Sequence, residues 1–524
     1  MAVIAAAAFA IRLIAINEAS LWTDEGYSIW FARQTVSDLW GPIARNEYNP
    51  TLYYIALHYW TGIFGESVTA VRSLSALFNA MTIPAIYLSV LWGLKSPQAR
   101  LVATLASVLF ALAFAEIKYA QEARTYTLCV LAVAICIASS IKITADMDER
   151  ADAQWARLPF GPFACLGFGA ALAVWSHYTC LIFLAGLSLF HVYMLAQARQ
   201  LRIAAGYGYA IAAGVFLVLG GRALWLFAAY ALPASDNFWI SAPSIADTMD
   251  TASIIFGGSF FLDSWGADIF VRALLFGPWP VLGAWALWRR GIRIERQVLV
   301  LLIAMSVAAF AMYLVVTFLG KPVFLQRIVL PSQIGWVILC AAAILSAQAL
   351  AIRNAAAVLL VMAFSISAVS YFVFEDKARA KEPWRLVAEQ IALKASSGET
   401  VFVTAAGEDI LTGYLSDAGR ADLIVVSVNG SYRTPAEREA FDTAPMNYKT
   451  PVDHGVAAAW AARLETLSEA WLILRHPERE DWALLRPVIE AHSAAYIHYE
   501  PGPLGLYRLI VNEERAATQT EPVQ

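Results

Sequence analysis

The chain has 524 residues, 59% of them hydrophobic and 15% charged, against about a quarter charged in an average soluble domain. With a mean hydropathy of +0.58 and a net charge of only −4 spread along the chain, this is the composition of a membrane protein, and it excludes a nucleic-acid-binding surface. The five cysteines, Cys129, Cys136, Cys165, Cys180 and Cys340, lie in apolar runs without CxxC spacing or neighbouring histidines, so they read as buried thiols rather than a zinc site.

In chain order, eleven apolar runs have roughly spanning length: about 2–19, 68–92, 99–116, 122–142, 160–176, 178–196, 204–229, 269–288, 297–318, 328–350 and 355–374. The first is short and has no small-residue cleavage site, so it reads as an uncleaved span. Tryptophan and tyrosine gather at the ends of several runs, as interfacial anchors do. The connections at 93–100, 142–157, 196–202, 288–297 and 351–354 carry Lys95, Arg100, Lys142, Arg150, Arg157, Arg199, Arg202, Arg289, Arg290, Arg293, Arg296 and Arg353. The positive-inside rule makes those connections cytoplasmic. The opposite set then faces outward: residues 20–67, turns near 117–121 and His177, a loop at 230–268, the turn 320–327, and everything after about 375.

Directly behind the first run stands LWTDEGYSIW, with Asp24 and Glu25 adjacent. From there to Trp40, apolar residues recur at helical spacing, which predicts an amphipathic helix at the interface. A second aromatic stretch, TLYYIALHYWTGIF, is long enough to be interfacial or re-entrant but short for a span. After residue 375 the composition turns soluble. ETVFVTAA, ADLIVVSV and AWLILRH read as buried strands alternating with the helical stretches PWRLVAEQIALKA, GEDILTGYLS and VAAAWAARLETL. That order predicts a small α/β layer. The expected organisation is therefore a membrane domain over 1–374 with outer helices at about 20–65, a soluble α/β domain over 375–512, and a disordered polar tail at 513–524.

Charged groups near hydrocarbon are costly, and here they gather on the outer side. Asp24 and Glu25 open the first loop; Glu116, Lys118, Glu122 and Arg124 surround FAEIKYAQEARTYTL; His177 and Tyr178 lie in WSHYT; Lys321 and Arg327 lie in GKPVFLQRIVLP. Such a set suits one chemistry: a carboxylate accepts a proton from an attacking hydroxyl while cations neutralise a departing phosphate. Each element also has a plainer role. Asp-Glu can cap the helix that follows, Glu122 and Arg124 can be a surface pair, His177 can be structural, and Lys321 and Arg327 can be snorkelling cations.

The order TDEGYS, NPTLYYIALHYW, YAQEARTYTL, SHYTCLIFL, FWISAPS and KPVFLQRIVLP resembles the GT-C class of membrane glycosyltransferases over residues 1 to about 385. The likeness is to glycosyltransferase family 39, protein O-mannosyltransferase-like, and to lipid A aminoarabinose transferase-like enzymes. It implies a polytopic α-helical fold of about eleven spans with an extracytoplasmic C-terminal domain, in a bacterial inner membrane. It further implies inverting transfer of a hexosyl or pentosyl group from a polyprenyl-phosphate donor to a hydroxyl acceptor of the cell envelope: lipid A, a glycolipid, a polysaccharide or a protein. By this resemblance Asp24 is the catalytic base with Glu25 beside it. Arg124, Lys321 and Arg327 bind the lipid phosphate or sugar, supported by Glu122, Tyr126 and His177. Asn49 and Tyr53 are expected on the acceptor or sugar.

Relatives commonly carry a His before a Pro-Pro pair in the second motif, where this chain reads Tyr48-Asn49-Pro50-Thr51. A divalent metal therefore has no assigned ligand here, although Asn49 offers a hard oxygen. The alternative class is a transporter or flippase for lipid-linked sugars. Transporters place ionisable groups near the midplane and often carry inverted repeats, whereas these charges gather at one surface and no repeat is visible.

Overall fold

The computed structural model describes residues 1–47, 49–150, 158–198, 201–234, 242–262, 264–320, 323–374, 381–404, 407–428, 454–475, 480–493, 495–499 and 504–511. The chain divides into two compact units: residues 1–16 with 44–378, and residues 17–43 with 379–524.

The first unit is helical. Among the described residues seven helices are long and apolar enough to cross a membrane: Val68–Gly93, Tyr126–Glu149, Cys180–Gln197, Arg202–Ala231, Trp265–Arg289, Arg293–Phe318 and Leu350–Val373. An eighth span forms if Ala99–Ala111 and Phe114–Ala120 are counted together across their 53° bend. The other three expected runs are helical but under 18 residues: Ala2–Leu13, Phe160–Ser176 and Ser332–Ser346. Each of the eleven apolar runs is thus a helix or a helix pair, and among the described residues seven or eight of them have the length and composition of a span. Residues 230–268, expected as a loop, contain the helix Ile245–Gly257.

The first helix stops at Leu13 rather than near residue 19, because Ile14 is extended and Ala15 takes a positive φ of 54°. Its Arg12, fully buried inside an apolar run, explains how the bend at Leu112-Ala113 is tolerated. A helix that stops leaves carbonyls without intrahelical partners, and hydrocarbon supplies no replacement. Arg12 donates from Nη1 to Ala111 O at 3.2 Å and from Nη2 to Phe110 O at 3.4 Å, and its Nε donates to Asn79 Oδ1 at 2.6 Å. Asn79 in turn donates to Glu116 just past the bend. Elsewhere the helices meet backbone to backbone: a Cβ added at Gly283 would stand 1.8 Å from Leu339 O, so the helices Pro278–Arg289 and Ser332–Ala342 approach at a distance only glycine allows.

The second unit carries a five-stranded sheet of β1 (Thr400–Val403), β2 (Ile424–Ser427), β3 (Glu469–Arg475), β4 (Ala495–Tyr499) and β5 (Leu504–Ile510) in the order β2-β1-β3-β5-β4. β1 pairs parallel with β2 and β3, while β5 pairs antiparallel with β3 and β4. Helices Trp384–Lys394, Glu408–Asp417 and His454–Leu464 fall where the sequence places them. The first three strands were legible as apolar runs; β4 and β5, AYIHY and LGLYRLI, mix polar residues into the pattern and were not expected.

Residues 17–43 group with this unit rather than with the helices beside them in sequence. The amphipathic helix expected over 24–40 is two helices, Thr23–Ala32 and Val36–Trp40, because Thr35 caps the second by accepting from Asp38 N at 3.1 Å.

Candidate active site

Within the membrane unit the site is built on one turn, Gln121–Thr125, between the helices Phe114–Ala120 and Tyr126–Glu149. From the apolar runs alone the turn is expected slightly earlier, near 117–121. Its side chains lock it from four directions. Gln121 Nε2 donates to Arg12 O and Ile14 O at 2.9 and 2.7 Å, and Tyr371 donates to Gln121 Oε1 at 2.8 Å. Ser75 donates to Arg124 O at 3.0 Å, and the Tyr53 hydroxyl is 2.8 Å from that serine. Thr125 donates to Ser176 O at 2.8 Å, tying the turn to the helix end that precedes His177. These bonds satisfy the Gln121 amide, the Thr125 hydroxyl and the Arg124 carbonyl in a water-poor interior.

What this turn presents is a cluster centred on Tyr126. Two guanidinium carbons approach its ring, Arg124 at 5.8 Å and Arg327 at 5.6 Å from the centroid, and the His177 and Tyr119 rings stand at 6.5 and 5.9 Å. Arg124 and Arg327, separated by two hundred residues of sequence, thus share one aromatic ring. Gln326, next to Arg327, accepts from Tyr119 at 2.7 Å and from Lys118 at 3.4 Å.

His177 lies in the turn between two helices. Burial first, then the charges of Arg124 and Arg327, push its imidazole down from 6.5 to about 3. The ring is therefore neutral at physiological pH. Its Nδ1 accepts from Thr179 N at 3.3 Å, which leaves the ring proton on Nε2 as a donor that adds no third positive charge.

An apolar cavity of about 800 Å³ lies between the helices Leu52–Phe64, Val68–Gly93, Tyr126–Glu149 and Phe160–Ser176. One end is bordered by Leu52 and Leu128, the latter half a turn beyond Tyr126; the other reaches Trp92 and Lys142. Leu128 to Lys142 spans about 20 Å of helix at 1.5 Å per residue.

The remaining expected residues divide as follows. Glu122 is buried beside the cluster. Asn49 donates from N and Nδ2 to Glu47 Oε1, both at 3.2 Å. Tyr53 is fully buried with its hydroxyl on Ser75, the serine that holds the Arg124 carbonyl. Lys321 lies outside the described residues. Tyr119, Gln326 and Lys118 join the cluster without having been singled out for binding; the signal was their adjacency to Arg327 and to the EAR turn. Among the described residues no three His, Cys, Asp or Glu side chains come together as a metal-binding group.

Asp24 and Glu25 belong to the other unit, in the first turn of the helix Thr23–Ala32. Glu25 is buried and accepts from Trp22 N at 3.4 Å, so the capping role holds for it. Asp24, one residue earlier, is part-exposed. The helix start is anchored on Glu382, whose Oε2 accepts from Thr23 N at 2.7 Å, Thr23 Oγ1 at 2.5 Å and Trp384 Nε1 at 2.9 Å, while Oε1 accepts from Arg475 Nε at 2.6 Å. Burial raises the Glu382 carboxyl, but Arg475 and these hydrogen bonds more than offset it and hold the group below its ordinary value.

Neither a family model nor a curated protein sequence matches this chain. Solved structures do. ArnT from Cupriavidus metallidurans in the apo state superimposes with a TM-score of 0.54 at 12% identity, and ArnT from the same organism bound to undecaprenyl phosphate with 0.53 at 11%. Each alignment covers 97% of both chains. At that identity the likeness is one of fold, and it extends over nearly the whole of both chains.

Proposed function

We propose that this protein is an inverting glycosyltransferase that moves a sugar from a polyprenyl-phosphate carrier to a hydroxyl acceptor at the outer face of a bacterial inner membrane. The observation that carries the reading is the pair Arg124 and Arg327 around Tyr126, on a helix that also lines, from Leu128 to Lys142, an apolar cavity long enough for a lipid tail. Two guanidiniums in a poorly hydrated setting bind a phosphate through charge-assisted, bidentate hydrogen bonds. The cavity supplies the matching surface for hydrocarbon. The ArnT structure of the same fold was solved with undecaprenyl phosphate, a ligand that has both parts.

In this reading the acceptor hydroxyl loses its proton to Asp24 and its oxygen forms a bond to the anomeric carbon. The bond from that carbon to the carrier's phosphate oxygen breaks on the opposite face, and the configuration inverts. Arg124 and Arg327 stabilise the second negative charge that develops on the departing phosphate, and Lys321, six residues before Arg327 in sequence, adds to that field. His177 donates a hydrogen bond from Nε2 without competing for the phosphate's proton. Glu122 and Tyr126 shape the cation pair, Asn49 serves the acceptor or sugar side, and Tyr53 acts by placing Arg124. Glu25 holds the helix start that presents Asp24. The positively charged connections, by the positive-inside rule, set the C-terminal unit outside.

The test is transfer by the full-length protein in detergent, with decaprenyl-phosphate sugars as donors and envelope lipid extract as acceptor. Wild type should consume the donor and release decaprenyl phosphate. Failure to bind any polyprenyl phosphate refutes the reading.

A further inference from the structure

The turn that joins the helices Pro278–Arg289 and Arg293–Ile303 takes no part in the site above, and it reads WRRGIRIERQ over residues 288–297. Its single acid is already engaged. Glu295, fully buried, accepts from Arg290 Nε at 2.7 Å and from Lys95 N at 3.0 Å, while Arg290 Nη2 donates to Lys95 O at 3.0 Å. These bonds tie the turn to the connection after Gly93, whose Lys95 holds Glu149 at 3.2 Å. The chain reverses at Gly291, where a φ of 71° favours a residue without a side chain. Arg289, Arg293 and Arg296 remain, all exposed, and among the described residues no carboxylate pairs with them. Two of the three lie over tryptophan rings. Arg289 Cζ is 5.0 Å from the Trp285 centroid and Arg296 Cζ is 4.8 Å from the Trp288 centroid, and Arg296 Nε donates to Trp288 O at 3.3 Å. The two tryptophans are themselves 46% and 57% exposed, as interfacial anchors at headgroup depth are.

A guanidinium resting on an indole uses its face there and keeps N–H edges for an anion. Its rotamer freedom is reduced before any ligand arrives, so less is lost on binding. We propose that this turn recognises the headgroup of an anionic phospholipid in the cytoplasmic leaflet, with Arg289 and Arg296 meeting the phosphodiester and Arg293 adding charge. The leaflet follows from the positive-inside rule, which makes this connection cytoplasmic. The preference for an anionic headgroup follows from charge: a zwitterionic lipid carries the same phosphate but brings an ammonium, which three arginines repel and for which the buried Glu295 has no free oxygen edge. Stacking separates this site from the general attraction of basic connections for negative lipid, because a lysine carries the charge without the planar, pre-placed fork. The inference is independent of the transfer reaction proposed above.

The experiment is a native mass-spectrometric titration of the full-length, delipidated protein in detergent with phosphatidylglycerol, phosphatidylcholine and inorganic phosphate. Wild type should bind phosphatidylglycerol about tenfold or more tightly than phosphatidylcholine, and inorganic phosphate should not displace it. Arg289→Gln combined with Arg296→Gln should weaken phosphatidylglycerol roughly thirtyfold and leave phosphatidylcholine within about twofold. Arg289→Lys combined with Arg296→Lys keeps the charge and removes the stacked fork; it should lose about tenfold on phosphatidylglycerol, and it keeps the question testable if the glutamine pair misfolds. Equal wild-type affinity for the two lipids overturns the inference, as does a lysine pair that binds phosphatidylglycerol as tightly as wild type. Displacement of the lipid by inorganic phosphate would make this a site for a soluble anion and overturns it as well.

Discussion

Glu382→Gln isolates the device that sets the helix start bearing Asp24. The native carboxylate is almost wholly buried and receives three donors on Oε2 and Arg475 on Oε1 at 2.6 Å. A glutamine of the same shape can place its carbonyl where Oε2 stands. Three hydrogen bonds then fall from charge-assisted to neutral, about 0.5 kcal/mol each on the difference between the two kinds. The amide nitrogen faces the Arg475 guanidinium donor to donor, which removes the ion pair; Arg475 is one-quarter exposed, so that loss is discounted for solvent to about 1–2 kcal/mol. The total, about 3 kcal/mol, corresponds to roughly a hundredfold in the equilibrium that frees the segment. Hydrogen exchange on the full-length protein reads this directly. Amides within Thr23–Ala32 should exchange about a hundredfold faster at pH 7, while those of Tyr126–Glu149 stay as they are. The sign with pH is determined by the carboxyl being held below its ordinary 4.5. The native contribution is fully present above that value and is lost as pH falls through the lower folded value, so the gap between wild type and variant should close in acid. Unchanged protection of Thr23–Ala32 at pH 7 would refute the assignment of Glu382 as its anchor.

Asp24→Asn should reduce transfer by at least about a thousandfold while donor binding persists, because it removes the proton acceptor and keeps the shape; near-normal turnover rejects the base. Arg124→Ala and Arg327→Ala should each weaken decaprenyl phosphate binding roughly tenfold or more, the loss of a charged hydrogen bond, as measured by the same native titration; a loss confined to the acceptor would contradict the phosphate role. For His177, whose folded value of about 3 lies below the ordinary 6.5, the unfolded protein binds the extra proton, so stability is complete above about 6.5 and declines as pH falls toward 3. The thermal midpoint of His177→Gln should accordingly fall less than that of wild type between pH 7 and pH 5; parallel declines would mean that His177 is not the buried neutral group.

The local content of the sequence carried far. Apolar length placed every membrane helix, and the turn residues of YAQEARTYTL, SHYT and FLQR were recognisable as polar groups that a membrane protein retains at a cost. Three of those turns do meet, around Tyr126. That the Tyr53 hydroxyl lies on Ser75 in a fully buried setting was not legible, because aromatic identity does not reveal whether a hydroxyl is already engaged. Arg12 was unremarked inside its run, since its value lies in carbonyls a hundred residues away, at a bend that hydropathy does not register.

By itself the sequence determined the class of solvent, the approximate position of each helix, three of the five strands and the side chains capable of meeting phosphate, because hydropathy period and residue chemistry are local properties. Tertiary structure alone decided that residues 17–43 fold with the C-terminal sheet unit, that Glu382 anchors the helix behind Asp24, and that Arg124 and Arg327 approach one tyrosine ring. These are pairings between distant segments, selected by which buried donor finds which acceptor, and no window of neighbouring residues contains both partners.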